Sequence, residues 1–160
     1  MNTSKNGVDF IAAHEGLRLS PYQDQAGLWT IGYGHLIKPG EDWLFGSPIT
    51  KSQAKELLAE DLVTAENAVN SNITIALNQN QFDALVSLVF NIGSGAFASS
   101  TVCATINAED TQERITEGWQ RWDKVTINGE LVSSRGLAKR REDETDLYFT
   151  DPKKKVITIV

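Results

Sequence analysis

The stretch His14–His35 reads HEGLRLSPYQDQAGLWTIGYGH, and the hydrophobic period of the chain changes within it. Upstream, Val8, Ile11 and Glu15 stand at i, i+3 and i+7 with Ala12 beside them. That spacing puts four residues on one face of a short helix over 7–16, stopped by Gly16. The last inward position of the face is a carboxylate. From Leu17 onward Gly, Pro and aromatic residues displace the helical period. Asp24-Gln-Ala-Gly27 reads as a turn between an extended piece, Leu17 to Tyr22, and a strand, Leu28 to Tyr33, which together make a small antiparallel hairpin. Pro39, Gly40, Gly46 and Pro48 then mark a loop, closing a β segment over 17–50.

Working outward, the rest of the chain is helical. Thr50-Lys-Ser-Gln53 has the form of a capping box, and Ala54, Leu57, Leu58, Leu62, Ala65 and Val69 hold a 3.6 period behind it, predicting one long bridging helix over 51–70. Asn78-Gln-Asn-Gln81 is a second capping box. Phe82, Leu85, Val86, Leu88, Val89 and Ile92 surround the helix after it with apolar groups, the pattern of a helix at the centre of a bundle. Two further helices are expected, around Gln112 to Trp122 and around Arg135 to Phe149, with the Asn128-Gly129 turn of a tight hairpin between them. The fold class expected is therefore α+β, mainly α: a single domain over 1–160 in which the first helix (7–16) and residues 71–150 form a helical lobe. Residues 17–50 form the β lobe, 51–70 joins the two, and 151–160 is a tail.

Composition narrows the function. The chain has 160 residues, 41% of them hydrophobic, with 21 acidic and 15 basic side chains, two histidines and one cysteine. One Cys excludes an internal disulfide framework and a Cys-based zinc finger, and two isolated histidines argue against a metal site, so neither metal nor cofactor is expected. A net charge of −6 argues against nucleic acid as a partner, because affinity for phosphates comes from Lys and Arg. No run of apolar residues is long enough to span a bilayer, so membrane insertion is not expected. The N-terminal MNTSKNGVDFIAAHEG is interrupted by Asp9 and His14 and is not a secretory signal. The chain is expected to start in a cytoplasm.

Glu15 and Asp24 are nine residues apart, and Thr30 lies six further on in the opposing strand. A helix end meeting a hairpin in this way would hold two carboxylates and a hydroxyl around one cleft. Glycoside hydrolysis needs such a set: one carboxylic acid kept protonated by poor solvation, and one ionised carboxylate to activate water. Glu15, where the apolar stripe of its helix runs out, suits the acid, and Asp24, at a hydrated turn, suits the base. The same spacing also fits a solvated helix end followed by an Asx turn.

Three segments resemble the phage lysozyme family of the T-even phage type, glycoside hydrolase family 24. The first is His14–His35 itself, in which Glu15, Asp24 and Thr30 fall at the family's Glu, Asp and Thr positions without a gap. The second, LVSLVFNIGSGAFASST from Leu85 to Thr101, is similar to the family's central-helix segment. The third, GLAKRR from Gly136 to Arg141 with Glu144 beyond it, is similar to a stretch of the family's last helix. The resemblance implies a lysozyme-like fold and an endolysin muramidase. Such an enzyme cleaves the β-1,4 bond between N-acetylmuramic acid and N-acetylglucosamine of bacterial peptidoglycan, with inversion. It implies Glu15 as general acid, Asp24 with Thr30 positioning the attacking water, and Leu36, Phe90 and Ser100 lining the saccharide cleft. It further implies a monomer that waits in the host cytoplasm, depends on a holin-type pore for release, and acts in the periplasm. The alternatives are a catalytically idle peptidoglycan-binding module and a chitinase-like glycosidase.

The remaining conspicuous residues have plainer readings. His35 is expected to tie the hairpin to its lobe by a hydrogen bond or ion pair, and Cys103, between Val102 and Ala104, to be buried and structural. Ile115, Trp119 and Trp122 form an inward helical face. Arg140 and Arg141 are expected to pair with the acidic run that follows them, with one of them in reach of the cleft. The first eighty residues carry 5 basic and 9 acidic groups and the last eighty 10 and 12. Since wall polymers are anionic, this leaves two expectations: a local cluster such as Arg18 with Arg140 or Arg141, or work at a salt concentration where steering matters little.

Overall fold

The computed structural model describes residues 1–153; the expected tail beyond Lys153 lies outside the described residues. The chain divides into two compact units, Thr3–Val63 and Met1–Asn2 with the residues from Thr64 onward.

In the first unit, α1 (Lys5–His14) starts where the Ser4 hydroxyl accepts the Gly7 N–H at 3.0 Å. It buries Ile11 and Ala12. Strands β1 (Arg18–Gln23), β2 (Trp29–Gly32) and β3 (His35–Leu36) follow as an antiparallel sheet in chain order. Pairing of Arg18 with Gly32 and of Tyr22 with Thr30 sets four steps of β1 against two of β2, so Leu19, Ser20 and Pro21 bulge out. A proline has no N–H to give a ladder and is tolerated at such a point. The bulge is anchored from outside by the Ile49 N–H, which donates to the Leu19 carbonyl at 3.0 Å. A short 3-10 turn (Asp42–Phe45) and α2 (Lys51–Asp61) complete the unit. Ile31, Leu44, Ala54, Leu58 and Leu62 are fully or almost fully buried, each large side chain contributing about 1.5–3 kcal/mol.

The second unit holds α3 (Val63–Asn72, its first residue counted with the first unit), α4 (Gln79–Ile92), α5 (Ser94–Ala98), α6 (Thr101–Asn107), α7 (Gln112–Gln120), the hairpin β4 (Lys124–Ile127) and β5 (Glu130–Ser133), and α8 (Arg135–Tyr148). Every residue of α4 from Phe82 to Val89 is buried, as its all-round apolar pattern predicts. α8 packs along it. Asn128 and Gly129 both take positive φ, 51° and 82°, the left-handed pair that a two-residue hairpin turn requires.

Both capping boxes form, with Thr50 and Gln53 and with Asn78 and Gln81 bonding reciprocally. Several boundaries differ from expectation. The single helix expected over 51–70 comes as α2 and α3, with Leu62 between them and its N–H shared by the Glu60 and Leu58 carbonyls. α1 ends at His14, and Glu15 is already extended at φ −101°, ψ 147°. By its contacts α1 groups with the β-containing unit, whereas the sequence reading set it with the helical lobe. β3, the 3-10 turn and α5 were not read from the sequence, which had placed a two-stranded hairpin and plain loops there.

Candidate active site

All three residues of the candidate trio belong to the first unit. Glu15 follows directly on α1, half-buried, with its N–H still bonded to the Ala12 carbonyl at 3.2 Å. It lines a pocket of about 290 Å³ with Gly16, Leu17, Arg18, Tyr22, Tyr33 and Gly34. The Arg18 guanidinium lies 4.6 Å from the centre of the Tyr22 ring. One wall of this pocket is thus a cation stacked on an aromatic face.

Asp24 begins the turn between β1 and β2. Its backbone exchanges hydrogen bonds with Leu28 and Gly27, each at 2.9 Å, and its Oδ1 accepts the N–H groups of Ala26 and Leu28, also at 2.9 Å. The Asx turn allowed by the sequence is therefore present. It occupies only one oxygen: Oδ2 accepts no hydrogen bond from the described residues. Thr30 is 3% exposed, and its hydroxyl donates to the Leu28 carbonyl at 3.0 Å. Directly paired residues of an antiparallel sheet share a face, as do residues two apart along a strand. Tyr22 pairs with Thr30 and Thr30 with Leu36, and Asp24 lies two beyond Tyr22. One face of the sheet therefore carries Tyr22, Thr30, Leu36 and, at its end, Asp24. The opposite face carries Ile31 and His35, both buried.

Leu36 is 46% exposed, an unusual outlay for a leucine on a small sheet. The other two expected saccharide contacts lie in the second unit. Phe90 is half-buried near the end of α4. The Ser100 hydroxyl accepts the Cys103 N–H at 3.1 Å and donates to the Phe97 carbonyl at 2.7 Å, so it caps α6.

His35 is held from both sides. Its Nδ1 is 2.9 Å from Asp61 Oδ2 and its Nε2 is 2.9 Å from Glu41 Oε2. Burial pulls its pKa down, but the hydrogen bonds and charges of Glu41 and Asp61 outweigh that and raise it above the usual histidine value. A doubly bonded imidazolium ties β3 to the 3-10 turn region and to α2, the structural role expected. Cys103 is buried, and burial pushes its thiol pKa up, which suppresses the thiolate. Among the described residues no group of three His, Cys, Asp or Glu side chains is placed to hold a metal ion, and no helix is long and apolar enough to cross a membrane.

Arg140 and Arg141 pair, as expected, with an acid of the run that follows them, Glu144 at i+4 and i+3, but inside the fold and not as surface cations. Both are buried around Glu144, itself fully buried. Arg140 Nε and Arg141 Nη2 donate to Glu144 Oε1 at 3.2 and 3.1 Å. Ser87 Oγ donates to the same oxygen at 2.7 Å, and Trp119 Nε1 to Oε2 at 2.8 Å. Arg141 Nε is an ion-pair neighbour of Oε2 at 2.9 Å but is misaligned for a hydrogen bond and has no other partner among the described residues.

The family model for phage lysozyme matches residues 12–144. The endolysin of Acyrthosiphon pisum secondary endosymbiont phage 1 is 40% identical over 148 residues, covering 92% of this chain and 98% of the relative. The endolysin of Salmonella phage P22 is 41% identical over 143 residues, 89% of this chain and 95% of its own length. Among solved structures, the muramidase domain of SpmX from Asticaccaulis excentricus matches with a TM-score of 0.83 at 37% identity, over 94% of this chain and 99% of that one.

Proposed function

The chain belongs to the phage lysozyme family and is a glycoside hydrolase of the lysozyme type, and from that premise we propose how its residues act. It is an endolysin muramidase, and the bond it cleaves is the β-1,4 link between N-acetylmuramic acid and N-acetylglucosamine of bacterial peptidoglycan. Within the family we assign it to the T-even phage type, glycoside hydrolase family 24. Glu15, in its half-buried pocket, gives its proton to the glycosidic oxygen as the bond to the anomeric carbon breaks. Water attacks that carbon from the opposite face and Asp24 takes the proton it loses. One glycosidic bond is exchanged for a bond to water with inversion, and solvent exchange then returns Glu15 and Asp24 to their starting states.

The observation that carries this reading is the state of the two acceptors on the sheet face. Asp24 has Oδ1 committed to its own turn and Oδ2 open. Thr30 has its hydrogen committed to Leu28, so toward a water its oxygen offers lone pairs. Two such acceptors orient a water with both hydrogens toward protein and its own lone pair toward the sugar. The exposed Leu36, in register with Thr30, supplies an apolar surface for a sugar ring. In the second unit, Phe90 and Ser100 are assigned as saccharide contacts, Ser100 through the backbone that its hydroxyl holds in place.

Proton NMR of peptidoglycan fragments during the first turnovers tests the chemistry. The α-anomer should appear first as new reducing ends form. Initial release of the β-anomer would overturn the role given to Asp24, and no reducing ends at all would end the muramidase reading. We further assign action as a monomer in the periplasm after release from the host cytoplasm through a holin-type pore. Enzyme in the periplasm of a host lacking any such pore would contradict that route.

A further inference from the structure

α7 packs against α8 in the second unit, and the two helices share a hollow of about 530 Å³. No Lys or Arg lines it. That sets it apart from the hollow on α1 and α2, where Lys5, Lys51 and Lys55 gather. Gln112 and Gln120 are exposed on its rim, and their side-chain amides bond to no described residue, so each offers two N–H donors and a carbonyl acceptor. Thr145 gives its hydroxyl hydrogen to the Glu142 carbonyl at 2.9 Å, and Thr150 gives its own to the Asp146 carbonyl at 2.6 Å. Toward a ligand, both threonine oxygens therefore only accept. The Asp146 carboxylate is exposed and has no partner among the described residues. Phe149, half-buried with its ring centre 5.0 Å from that of Tyr148, adds an aromatic surface.

A further hollow of about 500 Å³ shares Gln120 and Glu142 with this one. Together they follow α8 from Arg135 to Phe149, a run of about 21 Å at the helical rise of about 1.5 Å per residue. An elongated ligand suits that length. The exposed cations Arg135 and Lys139 enter only in the far half, and Lys139 is held there by Asp143 at 2.7 Å. A phosphate or carboxylate therefore finds no counter-charge in the half near Phe149, and an apolar ligand would strand its amides and hydroxyls. An uncharged sugar chain satisfies both demands. Its hydroxyls donate to the oxygens of Thr145, Thr150 and Asp146, its carbonyls accept from Gln112 and Gln120, and a C–H face lies on the Phe149 ring.

We propose that the α7–α8 groove is a second binding site for an N-acetylated glycan strand, made wholly by the second unit and sharing no residue with the Glu15 pocket. The identity of the glycan rests on the muramidase reading. A site of this kind holds the enzyme on an insoluble wall between cuts by raising the local concentration of substrate. Two variants test it. Gln112→Ala/Gln120→Ala changes the first and last residues of α7 and leaves a good helix former at both; Phe149→Leu keeps apolar volume and removes the ring. In the first arm, N-acetylglucosamine tetramer is titrated into each protein and followed by amide NMR. Wild-type shifts are expected at Thr116, Gln120 and Phe149, with binding there about tenfold weaker in the double variant and weaker also in Phe149→Leu. In the second arm, KM on insoluble peptidoglycan should rise about three- to tenfold in both variants, with kcat unchanged and no change in either constant on short soluble glycan fragments. Absence of wild-type shifts on α7 and α8, tighter binding there of the deacetylated, cationic tetramer, a KM on insoluble wall that neither variant alters, or equal KM changes on both substrates would overturn the groove assignment. Wild-type protein that binds the tetramer on α7 and α8 yet releases no reducing ends from wall would retire the muramidase reading and leave the groove a sugar site.

Discussion

Asp24 commits one carboxylate oxygen to its turn and leaves the other open, so the turn reading is realised and the base role proposed for it has an oxygen to use. The type and spacing of Glu15, Asp24 and Thr30 were legible in the sequence. What the sequence did not contain is which lone pairs the local backbone consumes, because that depends on turn geometry at a resolution of tenths of an ångström. His35 illustrates the same limit. A structural tie was readable, but its partners, Glu41 and Asp61, lie 6 and 26 residues away, and no local pattern links them. The raised pKa of His35 fixes a sign. Its contribution to stability is complete below the unfolded histidine value of about 6.5 and is lost as pH rises through the higher folded value. Replacement by Gln should cost about 1–3 kcal/mol at acid pH. Denaturant titrations of both proteins at pH 5.5 and pH 9 should show the gap shrinking at the higher pH; a constant or widening gap would refute the imidazolium.

Elements with strong local chemistry were readable from the sequence, and those set by tertiary contacts were not. Two capping boxes and the Asn128-Gly129 turn place themselves, because side chains within three residues satisfy the backbone there. The break at Leu62 has neither Pro nor Gly to announce it. β3 is two residues long and exists only because β2 offers it an edge. α5 lasts five residues after Gly93, whose φ of 94° and ψ of 151° suit a glycine. The largest surprise at this scale is how α8 is fixed to its neighbours. Its exposed-looking GLAKRREDE run turns two arginines and one glutamate inward, where Glu144 answers donors from α8, α4 and α7. The i, i+3 and i+4 spacing within the run was visible, but Ser87 and Trp119 are 57 and 25 residues from Glu144. Glu144→Ala strands two buried guanidiniums, and stability measured by urea unfolding should fall by about 3–5 kcal/mol. Glu142→Ala, at a position 64% exposed, should change it by no more than about 0.5 kcal/mol; equal effects of the two would remove the network from the account of α8.

For the whole molecule, the fold class read from the sequence, mixed α+β and mainly α, is the lysozyme-like class of its structural relatives. The placing of charge is a different matter. With a net charge of −6, one expectation was a steering cluster that included Arg140 or Arg141, and burial of both around Glu144 removes them from it. The exposed cations that do gather are lysines at the starts of α1 and α2. They lie far apart in sequence, so their convergence became visible only once α1 and α2 packed together.

The central claim is that Glu15 delivers the proton for cleavage of the wall glycan, and replacing its carboxyl by an isosteric amide tests it most directly. Clearing of a purified peptidoglycan suspension by the Glu15→Gln protein, with its fold verified by circular dichroism and thermal unfolding, should be slower by about 10²–10⁴-fold. Wild-type clearing by a natively folded Glu15→Gln protein would contradict the account.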